Sequence, residues 1–385
     1  MEQKFNYIDE KFADLQLLRY RLPDFDKLSL RQKKYIYYLS KAALSGRDIT
    51  TDQFGAYNIR IRKLFEAIYT GYDGNRDCSE FQNVVVYLKR MWFSNGIYHH
   101  YGCEKFVPDF SSDYLRMVID HTDKSLIPLK DSETIDCFCD EIFPVIFDPS
   151  VLPKRVNKAD KQDLVTTSAC NYYENLTQEE VEKFYNDMKD GADESMPSYG
   201  LNSKLVKRDG SIVECKWTET GMYGPAISHI IYWLEKARDE AENEQQKKII
   251  SILTEYYRTG DLRTFDSFSI EWLKETEGRV DFINGFIEVY GDPLGLKASW
   301  EGFVSYKDIE ATRRAHTISD NAQWFEDNSP IDPRFKKKEV KGVIANVVCA
   351  AMLGGDEYPS SAIGINLPNA DWIRARYGSK SVKIG

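Results

Sequence analysis

Residues 279–303, RVDFINGFIEVYGDPLGLKASWEGF, constrain this chain more than any other stretch. From Ile283 to Tyr290 the side chains are mostly apolar or aromatic, and Asp292-Pro293 ends the run. In an extended segment successive side chains alternate between faces. Glu288 and Tyr290 are therefore expected on one face, with Ile287 and Val289 packing on the other. Glu301 lies in similarly apolar surroundings. A carboxylate carried inside is costly unless a positive or hydrogen-bonding group meets it. Two readings follow for Glu288: a structural glutamate paired with Arg279 or Lys297, or an anchor for a substrate ammonium.

The chain has 385 residues, enough for a large core and two or three domains. Its 42% hydrophobic and 29% charged residues are those of an ordinary globular protein. A net charge of −10 argues against nucleic acid as the main partner, because phosphate binding needs a basic face. The seven cysteines are odd in number and scattered, and Cys137-Phe-Cys139 has no structural zinc spacing. Reduced thiols and a cytoplasmic location are expected. The N-terminus, MEQKFNYIDEKF, is too polar for a signal peptide, and no run approaches 18 apolar residues, so no membrane partner is expected. A leader removed in processing is compatible with this reading.

The first half reads mainly helical. Ser29-Leu-Arg-Gln32 is a capping-box pattern opening a helix that Gly46 stops. Further helices are expected over 58–70, 79–94 and 111–121. Another follows Thr177-Gln-Glu-Glu180, with Val181, Phe184, Tyr185 and Met188 as its apolar stripe. Residues 198–217 read as a β-hairpin around Asp209-Gly210, and 225–258 as two helices with a solvated charged face. Beyond Tyr306 the pattern reads helical again, including the apolar run VIANVVCAAML at 343–353. GGDEYPSSAIGINLPN then supplies a loop rich in turn formers, with Gly354-Gly355 as a hinge.

FINGFIEVYGDPLGLKASWEGF resembles the signature segment of the dipeptidyl peptidase III family, zinc exopeptidases that remove dipeptides from peptide N-termini. GINLPNADWIRARYGSKSV at 364–382 is similar to a second family segment. GIYHHYGCEKFVPDF at 96–110 matches a third more loosely, with Ile97 where the family has asparagine. The resemblance implies an α+β, two-lobed fold. Residues 1–306 would form a lower lobe with a β core wrapped by helices, and 307–385 the incomplete beginning of a mainly helical, zinc-bearing upper lobe. The family's zinc motif resembles His-Glu-x-x-x-His, which sets two imidazoles on one helix face with a glutamate beside the metal-bound water. None of the five histidines here (His99, His100, His121, His229, His316) is followed by glutamate, and no two stand four or five apart. The adjacent pair His99-His100 is expected to diverge rather than bind a metal together. The chain is thus expected to be the N-terminal portion of such an enzyme, with zinc in the complete enzyme, none bound to this chain, and no activity alone.

By the same resemblance, Glu288 would bind the ammonium of a short peptide's free N-terminus, and Glu301 is a second acidic position of that subsite. Asn366 and Asn369 match asparagines that hold the first peptide units; an amide donates and accepts at once. Tyr290 matches a catalytic tyrosine whose hydroxyl reaches the scissile carbonyl. Gly200, Asn202 and Ser203 lie where the family offers an edge strand to an extended peptide. Plainer readings stand beside these: turn-forming asparagines, a core tyrosine, an ordinary hairpin. Implied partners are short peptides and the C-terminal remainder of the same enzyme. The rival functions are a non-catalytic peptide-binding protein lacking the metal half, and a glycosidase-type carboxylate pair of Glu288 and Glu301.

Overall fold

The computed structural model describes residues 5–189, 191, 193–340, 343–359 and 362–384. Ser360 and Ser361 of the expected turn-rich loop lie outside the described residues. Along the chain, β1 (Ile8–Phe12) and β2 (Leu15–Leu18) precede α1 (Leu30–Ser45). Helices α2 (Arg47–Gln53), α3 (Asn58–Gly71), α4 (Ser79–Ser94), α5 (Ser112–Asp120) and α6 (Ile135–Phe147) follow. Next come β3 (Tyr173–Glu174), α7 (Gln178–Lys189), β4 (Ser203–Arg208) and β5 (Ser211–Lys216). Helices α8 (Gly224–Asp239), α9 (Glu244–Thr259) and α10 (Leu262–Lys274) lead into β6 (Val280–Glu288) and β7 (Ser299–Lys307). The rest is α11 (Ile309–Ser319), α12 (Ala322–Asn328), β8 (Val343–Gly355), β9 (Gly364–Leu367), α13 (Asp371–Tyr377) and β10 (Ser379–Ile384). The fold class is α+β, as expected.

The chain divides into two compact units. One comprises Met1–Arg21, Asp48–Gln178 and Gly291–Leu294; the other Leu22–Arg47, Glu179–Tyr290 and Gly295–Gly385. The core of the first is an aromatic cluster that includes Phe65, Tyr87, Phe110 and Phe138, contributed by α3, α4, the segment before α5, and α6. In α3 and α4 the buried residues recur at helical spacing, Ile61, Leu64, Phe65, Ile68 and Val84, Tyr87, Leu88, Met91, which is what fixes these segments as helices.

The second unit is built on a five-stranded sheet in the order β6-β7-β8-β10-β9. β6, β7 and β8 are antiparallel neighbours, β8 and β10 run parallel, and β9 pairs antiparallel with β10. α1 opens with the expected capping box, Ser29 Oγ accepting from Gln32 N while the Gln32 side chain accepts from Ser29 N. It lies against β7 and β8 so closely that a Cβ on Gly302 would stand 2.9 Å from that of Ala43. The β4–β5 hairpin turns at Asp209 and Gly210, whose φ values of 49° and 77° suit a two-residue loop.

Two expectations need correction. The run at 343–353 is a strand, not a helix: it forms most of β8, held between β7 and β10. A continuous apolar run does not distinguish a helix from a strand with neighbours on both sides. Strict two-residue alternation is absent here, since the adjacent Val348 and Cys349 are both buried. Residues 307–385 thereby supply three strands to the sheet that β6 and β7 begin. The second correction concerns the alternation toward Tyr290. The β6–β7 register slips between Phe286, opposite Trp300, and Glu288, opposite Ser299. This bulge at Ile287 interrupts the two-residue period, β6 ends at Glu288, and Tyr290 lies beyond it at 76% exposure.

Candidate functional site

Glu301 sits in the middle strand of the antiparallel trio, opposite Gly285 on β6 and Gly355 on β8. Neither neighbour puts a side chain beside it. Gly355 has φ +62°, and a Cβ there would meet the Trp300 carbonyl oxygen at 2.2 Å, so the position demands glycine. The chain then turns sharply, with Asp356 N donating to Trp300 O at 3.0 Å, and delivers Asp356 and Glu357 toward Glu301. Glu301 is 1% exposed and Glu357 7%. Oε1 of Glu301 and Oε2 of Glu357 receive no hydrogen bond.

Glu288, half-buried, completes the group. Asn369 Nδ2 donates to its Oε2 at 3.3 Å and to the Ile287 carbonyl at 3.4 Å. Burial pushes the Glu288 carboxyl up, the Asn369 amide opposes this, and the Asp356 charge adds to it. Burial raises Glu301 well above the ordinary carboxyl range, with repulsion from Glu357, Glu288 and Asp356 in the same direction. Glu357 is raised likewise, by burial and by Asp356. Crowded, underbonded carboxyls of this kind are protonated or neutralised unless a cation arrives, and an ammonium with three donors fits that demand.

The suggested structural partners of Glu288 are used elsewhere. Lys297 is fully buried, its ammonium donating to Tyr185 OH and to Ser203 Oγ at 3.0 Å, with Glu214 at 3.9 Å. Arg279 acts electrostatically on Asp24 and Tyr306. The structure thus brings together Glu288, Glu301 and Asn369 from the sequence reading and adds Asp356 and Glu357, which that reading passed over as part of a turn-rich loop. Their only sequence signal was acidity within an otherwise ordinary loop.

The remaining candidates stand apart from these contacts. Asn366, on β9, accepts from Ser381 Oγ of β10 at 3.3 Å. Gly200, Asn202 and Ser203 are buried. Ser203 Oγ donates to Glu214 Oε1 at 2.7 Å inside the Lys297 group, and Asn202 Nδ2 donates to Gly260 O at 3.2 Å. The main-chain oxygens of Leu201 and Asn202 accept from Ala298 N and Trp217 N, both at 2.9 Å. His99 and His100 do not diverge: their rings stack at 4.4 Å, because the backbone turns there and His99 Nδ1 accepts from Tyr101 N and Gly102 N. Among the described residues, no group of three His, Cys, Asp or Glu side chains is placed to hold a metal ion, so these residues do not fit a zinc centre. Of the carboxyls that a glycosidase pair would use, Glu301 is buried and Glu288 half-buried.

The model of peptidase family M49 matches residues 155–385, which include both long signature segments. The chain belongs to peptidase family M49. The looser segment at 96–110 lies outside that match. Dipeptidyl peptidase 3 of Dictyostelium discoideum is 24% identical over 98% of this chain and 56% of its own length. The human dipeptidyl peptidase 3 is 23% identical over 94% of this chain and 53% of its own. This M49 chain therefore spans about half the length of the curated relatives it matches. The structure of DPP III from Caldithrix abyssi superposes with a TM-score of 0.66 at 20% identity, covering 94% of this chain and 56% of that one, a likeness of fold. The resemblance to the dipeptidyl peptidase III family holds. Among the described residues, no helix is long and apolar enough to cross a membrane.

Proposed function

We propose that this chain holds the free N-terminus of short peptides for a dipeptidyl-peptidase reaction. The observation that carries the reading is the carboxylate group of Glu288, Glu301, Asp356 and Glu357, with buried oxygens on Glu301 and Glu357 that no donor meets. Glu288, the most accessible of the group's glutamates, receives the ammonium. Asn369, already hydrogen-bonded to it, orients the carboxylate and, with Asn366, holds the first peptide units. Glu301 and Glu357 surrender their protons as the cation enters, so below the peptide amine's own pKa of about 7.7–8.0 binding releases protons and strengthens as pH rises. Tyr290 donates to the carbonyl oxygen of the scissile bond, a part its exposed position and membership of the signature segment support. Gly200, Asn202 and Ser203 position the hairpin against which an extended peptide would lie. Zinc and its ligands belong, in this reading, to the remainder of the enzyme. The cysteines, none in a disulfide, support a reducing, cytoplasmic setting.

Calorimetric titration with a tetrapeptide tests the assignment. A charge-assisted hydrogen bond contributes about 1.5–3 kcal/mol, so Glu288→Gln is expected to weaken binding by about tenfold or more, and Glu288→Asp by less. Zinc analysis and an arylamide assay on the same preparation are expected to give neither stoichiometric metal nor dipeptide release. Tight one-to-one zinc with chelator-sensitive release would overturn the assignment of the metal centre to the remainder of the enzyme.

A further inference from the structure

α10 carries an acid that the peptide site does not use. Asp266 is 7% exposed, and its Oδ2 receives no hydrogen bond. The Arg263 guanidinium stands 3.8 Å away, and its Nη1 donates instead to the Ser195 carbonyl. Burial pushes the Asp266 carboxyl up to about 7, against the pull of Arg263 and with the help of Asp261.

This acid lines a cavity that encloses about 640 Å³ of empty space, the solvent at its open mouth included. Phe265, Trp272, Phe282, Ile287 and Leu367 give it apolar walls. Asn369 also lines it and marks its boundary with the carboxylate group, but Glu288, Glu301 and Glu357 are not among the lining residues. Ile287 and Glu288 are neighbours in β6, yet Ile287 faces this cavity and Glu288 the carboxylate group. Apolar walls with one convergent carboxyl, paired only at 3.8 Å with Arg263 and given no hydrogen bond at Oδ2, make a recognition pattern of their own: the walls accept hydrocarbon, and the carboxyl takes a donor, best a charged one.

We infer that the cavity is a second ligand site, for a small amphiphilic cation: an aromatic or branched aliphatic group bearing one primary ammonium. The hydrocarbon lies on Trp272, Phe265 and Leu367, and the ammonium meets the Asp266 carboxyl. Arg263, half exposed and donating to the Ser195 carbonyl, stands 3.8 Å from the carboxyl without a hydrogen bond to it, a pairing the ligand's ammonium supplants.

The test is calorimetric titration of the 385-residue chain with phenethylammonium chloride and, in parallel, with neutral 2-phenylethanol. It is run on the wild type, Asp266→Asn, Ser198→Trp and Glu288→Gln. Ser198 is exposed at the cavity's rim, so the tryptophan closes the mouth without disturbing the core. The expected result is saturable one-to-one binding of the amine, with the alcohol at least about tenfold weaker. Asp266→Asn and Ser198→Trp should each weaken the amine by about tenfold or more, and Glu288→Gln should leave it within about twofold. If Asp266→Asn fails to fold, Ser198→Trp carries the same decision. Absence of saturable binding to the wild type overturns the inference, as does wild-type binding by the Asp266 or Ser198 variant. Binding lost in Glu288→Gln alone would place the amine on the carboxylate group, overturning this second site while leaving the proposed peptide function standing.

Discussion

At the scale of single residues, the decisive groups are carboxyls held above their ordinary range. Glu301 starts from a reference near 4.5 and is raised by burial and by its acidic neighbours. Between that reference and the raised folded value, the folded chain keeps protons that the unfolded chain releases. Stability from this source therefore falls as pH rises through the window and is flat below it. Glu301→Gln, which mimics the protonated acid, is expected to raise the thermal midpoint at about pH 8 and leave it unchanged at about pH 4. Each tenfold change in proton affinity is worth about 1.4 kcal/mol, which moves the midpoint by about 3–6 °C in a compact unit of this length. Equal midpoints at the higher pH would show that Glu301 is ionised and satisfied in the fold. Tyr290→Phe removes an exposed hydroxyl proposed to meet charge only on the way to the tetrahedral intermediate. Both the midpoint and the affinity for an uncleaved peptide should stay near wild type, and a marked fall in either would return Tyr290 to a structural or ground-state role. Lys297 behaves oppositely: fully buried among Tyr185, Ser203 and Glu214, its replacement by alanine should destabilise by about 3–5 kcal/mol in denaturant unfolding. Glu288 and Glu301 were legible in the sequence because acids inside an apolar run stand out. Glu357 was not, because it sits among turn formers, nor was Asp266, because one acid in an amphipathic helix looks like its solvated face.

At the scale of elements, the helices were legible wherever a 3.6-residue stripe or a cap marked them, as in α1, α3 and α4. β8 was not, because its place between β7 and β10 removes the alternation that marks a half-exposed strand. The bulge at Ile287 was equally invisible: a register slip is a property of the pairing with β7, and β6 alone does not encode it. The site depends on these elements through Gly355. Gly355→Ala would place a methyl 2.2 Å from the Trp300 carbonyl oxygen at φ +62°. A non-glycine residue held in that conformation costs about 1–3 kcal/mol before the clash is counted. The variant is expected to lose stability and also peptide affinity, because Asp356 and Glu357 follow directly. Unchanged affinity per folded molecule would separate the β8 end from the binding group.

At the scale of the whole molecule, two long segments carried the family, and the family carried the α+β class. The role proposed for the acidic group rests on charge: its unmet oxygens would select a free N-terminal ammonium. The decisive measurement compares one tetrapeptide in free and N-acetylated form by calorimetric titration of the 385-residue chain at about pH 6, where the peptide amine is an ammonium and the raised carboxyls still hold protons to release. Acetylation is expected to weaken binding by at least about tenfold, with net proton release seen only for the free peptide. Equal affinities for the two forms would show that the group does not recognise the ammonium.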